Sequence, residues 1–471
     1  MRAGRPLALL AALALAGGCQ AVLGLEEGKP RDDGAGGGTS STTSSTGGGA
    51  SSTSSSGGSS SVTTSTASST GSTSSTSGTG GNGGAGGGSS SASSSSSTGS
   101  GGPTCTDGAQ NGGETGVDCG GPDCVLCPTV LLLATGAASV VVAGEYHPGG
   151  AWLTTTLPAT TVEAPGLAFT AAGKGVGLIR NATAQPANPQ SDDLVEAVTW
   201  STGVWSAFAA IGGAARTRGR PAVVSVDSTA QAVFHGVDFK HDYAAWSGSQ
   251  WSPTSDPVGG AATQSFGPSA PDLAVIGADA TAVFIDGLNG TNHLTVQDRK
   301  AGVWQSKIDL AASAPGASFA ISPSIAAVTG GPELLVVYVR ASDKQMLWLA
   351  RTAGSWSVAA PIASVSTSDR VALTGLAGGG ALLAFRGTDS KLYTSRLAAG
   401  AWSAPIKAGG EALLASSPAL ARGVGVAEAE LCFVNTVNVV YHARSLNNAW
   451  TTPVQAGAAP GLTQVAIASH P

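Results

Sequence analysis

Beyond about residue 128, apolar residues fall in short runs separated by turns of Gly, Pro, Asn, Asp and Ser, and no stretch keeps a 3.6-residue helical period. Runs such as Leu334-Leu-Val-Val-Tyr338 and Ala381-Leu-Leu-Ala-Phe385 are continuous rather than alternating. A strand that is apolar on successive residues has no solvent face, so these runs predict sheets covered on both sides. A tight turn followed by tryptophan recurs at Trp152, Trp205, Trp251, Trp304, Trp356, Trp402 and Trp450, with spacings of 53, 46, 53, 52, 46 and 48 residues. A period near fifty predicts a propeller rather than a single sandwich. Each repeat reads strand, turn, strand, polar turn, strand, tryptophan. The opening strands are announced by Pro165-Gly-Leu, Pro221-Ala-Val, Pro271-Asp-Leu, Pro323-Ser-Ile, Val371-Ala-Leu, Pro418-Ala-Leu and Pro460-Gly-Leu.

The two ends of this region complement each other. Leu131-Leu-Leu and Val140-Val-Val precede the first tryptophan without an opening strand, whereas the last opening has no strands after it. The expectation is an all-β fold over residues 128–471. It has seven four-stranded blades, and the C-terminal strand forms the inner strand of the first, which covers the sheet edges. The repeat tryptophans are expected to fill the gap that widens between blades.

Upstream the pattern disappears. Residues 33–104 are almost wholly Ser, Thr, Gly and Ala, with no aromatic residue. Such a segment cannot offset the entropy of ordering and is expected to be a disordered linker. A coil of about 80 residues of this kind spans roughly 50 Å. At the start, Arg2 and Arg5 precede an apolar run from Leu7 to Ala16, too short to cross a bilayer and suited to a leader over residues 1–18. Leu15-Ala16-Gly17-Gly18-Cys19 resembles the lipobox of bacterial lipoproteins, with Ala16 where that pattern usually has leucine. The resemblance implies a lipid on Cys19, a lipidated segment over residues 19–32, and membrane attachment through the acyl chains. Gln20 in the next position favours an outer-membrane or cell-surface location, and the outward or periplasmic orientation stays open.

Residues 105–127 hold Cys105, Cys119, Cys124 and Cys127 and resemble a short cysteine-rich repeat of exported myxobacterial proteins. In an exported chain four thiols point to two disulfides, in any of three pairings. Asp107, Asn111, Glu114 and Asp118 crowd hard oxygens into the same block, a set that suits weak Ca²⁺ binding, although acidic turn residues are commonly just solvated. Beyond that Ca²⁺, no cofactor is expected. Cys432, alone in an apolar strand, reads as a buried small hydrophobe.

Charged residues are 11% of the chain and the net charge is −6, which removes the basic surface that nucleic acid requires. The six histidines are scattered, and neither a nucleophile elbow, a phosphate loop nor the Asp-box of sialidases is present. No catalytic residue is assigned, and the chain reads as a monomeric binding protein rather than an enzyme. A glycoside hydrolase or lyase would need convergent carboxylates at the central funnel.

Arg299, Arg351, Arg396 and Arg444 each precede a repeat tryptophan by five or six residues, and Trp348, Tyr393 and Tyr441 each stand three before an arginine. The fragments Asp343-Lys-Gln-Met-Leu-Trp348 and Asp389-Ser-Lys-Leu-Tyr393, each followed by arginine, a small turn and tryptophan, resemble repeats of fucose-binding, PLL-like bacterial lectins with seven-bladed propellers. That resemblance implies carbohydrate binding by Trp348, Arg351, Tyr393, Arg396, Tyr441 and Arg444. The chemistry suits it, since an aromatic face stacks on a sugar ring and a guanidinium donates to hydroxyls. An aromatic and an arginine three apart on a strand face opposite sides, so each site would combine adjacent blades. The alternative is that these residues only pack the blades and that the propeller is a scaffold for another envelope protein.

Overall fold

The computed structural model describes residues 127–470, apart from 137–138, 162, 182–192, 214, 237–239, 253–268, 288–292, 311, 319 and 458–460. The expected leader, Cys19, the linker, Cys105, Cys119 and Cys124, and the Ca²⁺ candidates Asp107, Asn111, Glu114 and Asp118 lie outside the described residues. The described residues form seven antiparallel sheets, each a blade. The inner strands of blades 2 to 7 are Gly166–Ala171, Ala222–Val226, Asp272–Ile276, Ser324–Ala327, Ala372–Gly375 and Ala419–Arg422, and that of blade 1 is Gln464–His470. Each inner strand packs beside the next around a closed ring.

Six inner strands begin one residue after their opening signal. The seventh starts at Gln464, later than Pro460-Gly-Leu suggests, because Gly461 turns the chain through a left-handed conformation (φ 84°) first. The closure follows the expected pattern: Gln464–His470 pairs antiparallel with Thr129–Thr135, with Leu132 opposite Ile467, and blade 1 continues outward through Val140–Tyr146 and Leu153–Thr160. Among the described residues of blade 3, Ala222–Val226, Thr229–His235 and His241–Trp246 are followed by one bridge, between Trp246 and Trp251, at the place of the outer strand.

The recurrent turn before each tryptophan has a backbone cause. In Thr202-Gly203, Ala301-Gly302, Ala353-Gly354 and Ala399-Gly400 both residues adopt positive φ, the two-residue hairpin geometry that matches strand twist and favours glycine. Blade 7 achieves the same turn with Asn447-Asn448, asparagine being a side chain that tolerates this region.

Seven hydrophobic clusters fill the seven gaps between blades, and each takes one repeat tryptophan from the later blade of the pair: Trp205, Trp251, Trp304, Trp356, Trp402 and Trp450 in order, with Trp152 closing the ring. Near the axis the need is opposite. A Cβ added to Gly375 of blade 6 would lie 2.0 Å from the carbonyl oxygen of Ala327 in blade 5, so the inner strands meet on glycine and alanine. Both faces of a blade are thereby buried, as in the fully buried Leu334–Val339. Cys432 is a buried free thiol in the last gap, and burial together with nearby Glu430 pushes its pKa well up.

The gap between blade 7 and blade 1, the blade completed by Gln464–His470, contains a buried ionic cluster. Glu430 accepts from His442 Nε2 (2.8 Å), Arg444 Nε (3.1 Å) and the Val424 amide (3.3 Å), while Arg444 also donates to the Val424 carbonyl. His442 packs edge-on against Tyr146 and Trp152 of blade 1. Removing one member of a buried, fully bonded pair leaves the other uncompensated, at a cost of about 3–5 kcal/mol. Glu430→Ala is expected to lower the unfolding free energy by that amount, read as a shift in the guanidinium chloride midpoint without a change in slope.

Candidate functional site

The six residues singled out in the sequence do not converge. They divide among four interblade gaps, and the aromatic and arginine of each strand face opposite gaps. Arg351 turns toward blade 4, where it bonds Asp298 (2.7 Å) as well as Glu333 (3.1 Å) of its own blade. Trp348 turns the other way and meets Trp402 of blade 6 edge-on at 6.2 Å. Tyr393 packs in that same gap, stacked on Phe385, with its hydroxyl donating to Asp389 (2.9 Å). Arg396 reaches Glu428 of blade 7 at 2.5 Å, in the gap that also receives Tyr441, stacked on Phe433. Arg444 belongs to the buried Glu430 cluster. Arg299, named in the sequence beside these, lies over the Tyr243 ring of blade 3 at 4.7 Å.

The carboxylates are the partners that sequence spacing concealed. Arg396 and Glu428 are both partly exposed, at 25% and 29%, so this pair presents donors and acceptors together at the surface. The Arg351–Asp298 and Arg444–Glu430 pairs are largely buried.

A groove lies between blades 1 and 2, a cavity of about 580 Å³ lined by Thr129, Glu145, His147, Leu153, Trp200 and Trp205 among others. Glu145 is the penultimate residue of the second strand of blade 1, and Trp200 lies near the end of Asp193–Ser201 in blade 2. Glu145 accepts from Trp200 Nε1 (3.2 Å) and from His147 Nε2 (2.8 Å). His147 Nδ1 is 3.3 Å from the Pro128 carbonyl, which can only accept. With acceptors at both ring nitrogens the imidazolium form is satisfied, and the hydrogen bond that His147 donates to Glu145, opposed by partial burial, raises the His147 pKa above 6.5. Trp200 is almost wholly buried and fixes Glu145. Trp205, Leu153 and the exposed Thr154 and Thr155 form the open wall. The groove therefore combines a fixed charge pair, hydroxyls and an indole edge, a set suited to a hydroxylated ligand. The sequence signal was faint: His147 and Trp200 occupy the position, five before the tryptophan, that holds arginine in blades 4 and 5.

In the central channel Asp272, Asp369 and Glu163 each bond a guanidinium, from Arg370 (2.7 Å), Arg386 (2.8 Å) and Arg180 (3.3 Å) respectively. The fold also stacks two histidines that the sequence separated, His235 and His241, whose ring centroids are 5.3 Å apart. Among the described residues, no group of three or more His, Cys, Asp and Glu is placed to hold a metal ion.

No protein-family model matches the sequence, and no curated protein does. The fold is that of a β-propeller such as the lectin BP39L of Burkholderia pseudomallei, with a TM-score of 0.56 at 14% identity over 70% of this chain and 95% of that one. The fucose-specific lectin of Aleuria aurantia has a TM-score of 0.43 at 14% identity, over 64% of this chain and 99% of that one. A Bacteroides fragilis protein provisionally described as a 6-phosphogluconolactonase has 0.47 at 10% identity, over 73% and 98%.

The Glu145–His147 pair has a defined pH signature. A histidine whose folded pKa is raised contributes stability that is fully present below its unfolded value near 6.5 and is lost as pH rises through the folded value. The difference in unfolding free energy between wild type and His147→Gln is expected to be largest near about pH 6 and to shrink toward about pH 9, measured by urea denaturation across the range.

Proposed function

We propose that the propeller is a carbohydrate-binding module, held at the cell envelope through a lipid on Cys19. The observation that carries the sugar reading is the groove between blades 1 and 2, where Glu145, His147, Trp205 and two threonines surround one cavity. The partly exposed Arg396–Glu428 pair with Trp450 and Tyr441 in the same gap supplies a second site of related chemistry. The shared fold with a propeller lectin agrees with this reading. Trp348, Tyr393 and Arg351 serve mainly as packing and ion-pair residues around such sites. Sites that differ from gap to gap would each bind weakly and gain avidity together.

Glycan-array binding by the purified protein, followed by titration of the best sugar, tests the proposal. Trp205→Ala and Glu145→Gln are each expected to weaken binding at the first site by about tenfold, equivalent to about 1.4 kcal/mol, with the fold intact by circular dichroism. A folded protein that binds no glycan overturns the reading. It would favour an envelope-protein scaffold, for which the exposed apolar residues Leu153, Val204, Val303, Val358 and Ile406 along the blades' outer edges offer a surface.

The anchoring half of the proposal rests on the lipobox resemblance. It takes Cys105, Cys119, Cys124 and Cys127 as two disulfides of an exported chain. Cys19→Ser is expected to move the protein from the membrane fraction to the soluble fraction on ultracentrifugation.

A further inference from the structure

The residue immediately before each inner-strand opening is a repeated position that faces the propeller axis. In blades 2 to 7 it is Ala164, Arg220, Ala270, Ser322, Arg370 and Ser417, and all six line one cavity of about 590 Å³ in the central channel. Small or hydroxylated residues fill four of these places and arginine fills two. The two arginines are not equivalent. Arg370 bonds Asp272 at 2.7 Å, and the other lining carboxylates, Asp369 and Glu163, are taken by Arg386 and Arg180. Arg220 has no hydrogen-bond or ion-pair partner among the described residues, and its Nε is buried. Among the described residues, Arg220 is thus a channel guanidinium without a direct carboxylate contact, with Asp272 and Glu163 acting on it only at longer range. Burial, reinforced by repulsion from Arg370 and only partly offset by the attraction of Asp272 and Glu163, lowers the Arg220 pKa to about 9.

An unpaired guanidinium held in a protein cavity beside a second cation is costly, and the cost is offset by an anion. Hydroxyl donors stand around it. Ser322 Oγ accepts from the Ala270 amide at 2.8 Å, which leaves its proton to donate, and the buried Ser416 hydroxyl has no partner. We propose that the central channel binds a small oxyanion, the carboxylate or phosphate group of a soluble ligand, on Arg220, with Arg370 as the second cation and serine hydroxyls completing the shell. A guanidinium suits this role because its planar fork matches two oxygens of either group. The site is separate from the interblade grooves and does not depend on the sugar reading.

Calorimetric titration of the full protein at low ionic strength, with inorganic phosphate, glucuronate and, as a neutral control, glucose, tests the assignment. The expected result is one saturable site per chain for phosphate or glucuronate, which raises the Tm and weakens with added salt, and no channel site for glucose. Phosphate alone would identify a phosphorylated ligand, and glucuronate alone an acidic sugar. Arg220→Met is expected to weaken the oxyanion by at least about tenfold. Because it removes an unpaired charge, it should raise the Tm of the ligand-free protein, while Arg220→Lys retains part of the binding. Absence of binding by both anions overturns the proposal. So does undiminished binding by Arg220→Met, or a Tm lowered by that change, which would make the guanidinium a structural element.

Discussion

Blades that radiate from one axis are crowded at the centre and apart at the rim, and this wedge governs which residue types the chain can carry at each depth. Close to the axis the inner strands touch backbone to backbone, so Gly375 and its alanine neighbours leave no room for a side chain. At the rim the gap is filled by the largest side chain available, one tryptophan per interface, always supplied by the later blade. Between these limits both faces of every sheet are dry, which accounts for the unbroken apolar runs of the middle strands. A polar residue placed there must find a partner inside the gap, and Arg351 with Asp298, Arg396 with Glu428 and Trp200 with Glu145 find it on the neighbouring blade.

The same geometry explains what could be read from the sequence. The tryptophan period, the positive-φ turns and the proline before most inner strands are local signals that repeat, so blade number and ring closure were legible. The single bridge at the place of the outer strand, among the described residues of blade 3, was not, because Trp251 keeps the register of the repeat. The candidate site was legible only in half. The arginines and aromatics repeat within a strand and were visible, whereas their carboxylate partners stand at irregular positions: Asp298 on a third strand and Glu428 in a turn of neighbouring blades, Glu333 in a turn of Arg351's own blade. The groove of Glu145 and His147 escaped the motif because blade 1 alone carries that pair. Arg220 and Arg370 stood in plain view before their opening strands, but only the ring showed that this position faces inward.

Around the ring the seven gaps share packing and differ in polar content. One holds a glutamate with histidine and tryptophan, another an arginine over tyrosine, others arginine–carboxylate pairs of unequal exposure, and the last a buried cluster sealed by aromatics. A repeat protein that kept its apolar wedge constant and varied its polar fringe would hold one fold while presenting several chemically distinct clefts. Such divergence is permitted because the wedge, and not the fringe, supplies most of the apolar burial that stabilises the domain.

The pairing of Thr129–Thr135 with Gln464–His470 also sets an order of events. A chain emerging from its N-terminus can assemble six blades from consecutive residues, but the first blade waits for a strand more than 300 positions away. Until it arrives, the edge of Thr129–Thr135 is an unpaired, apolar template of the kind that recruits foreign strands. Nascent copies crowded on one polysome would therefore be at risk of joining edge to edge until Gln464–His470 has been made. The seam that makes the mature ring continuous is thus also a point of vulnerability during birth.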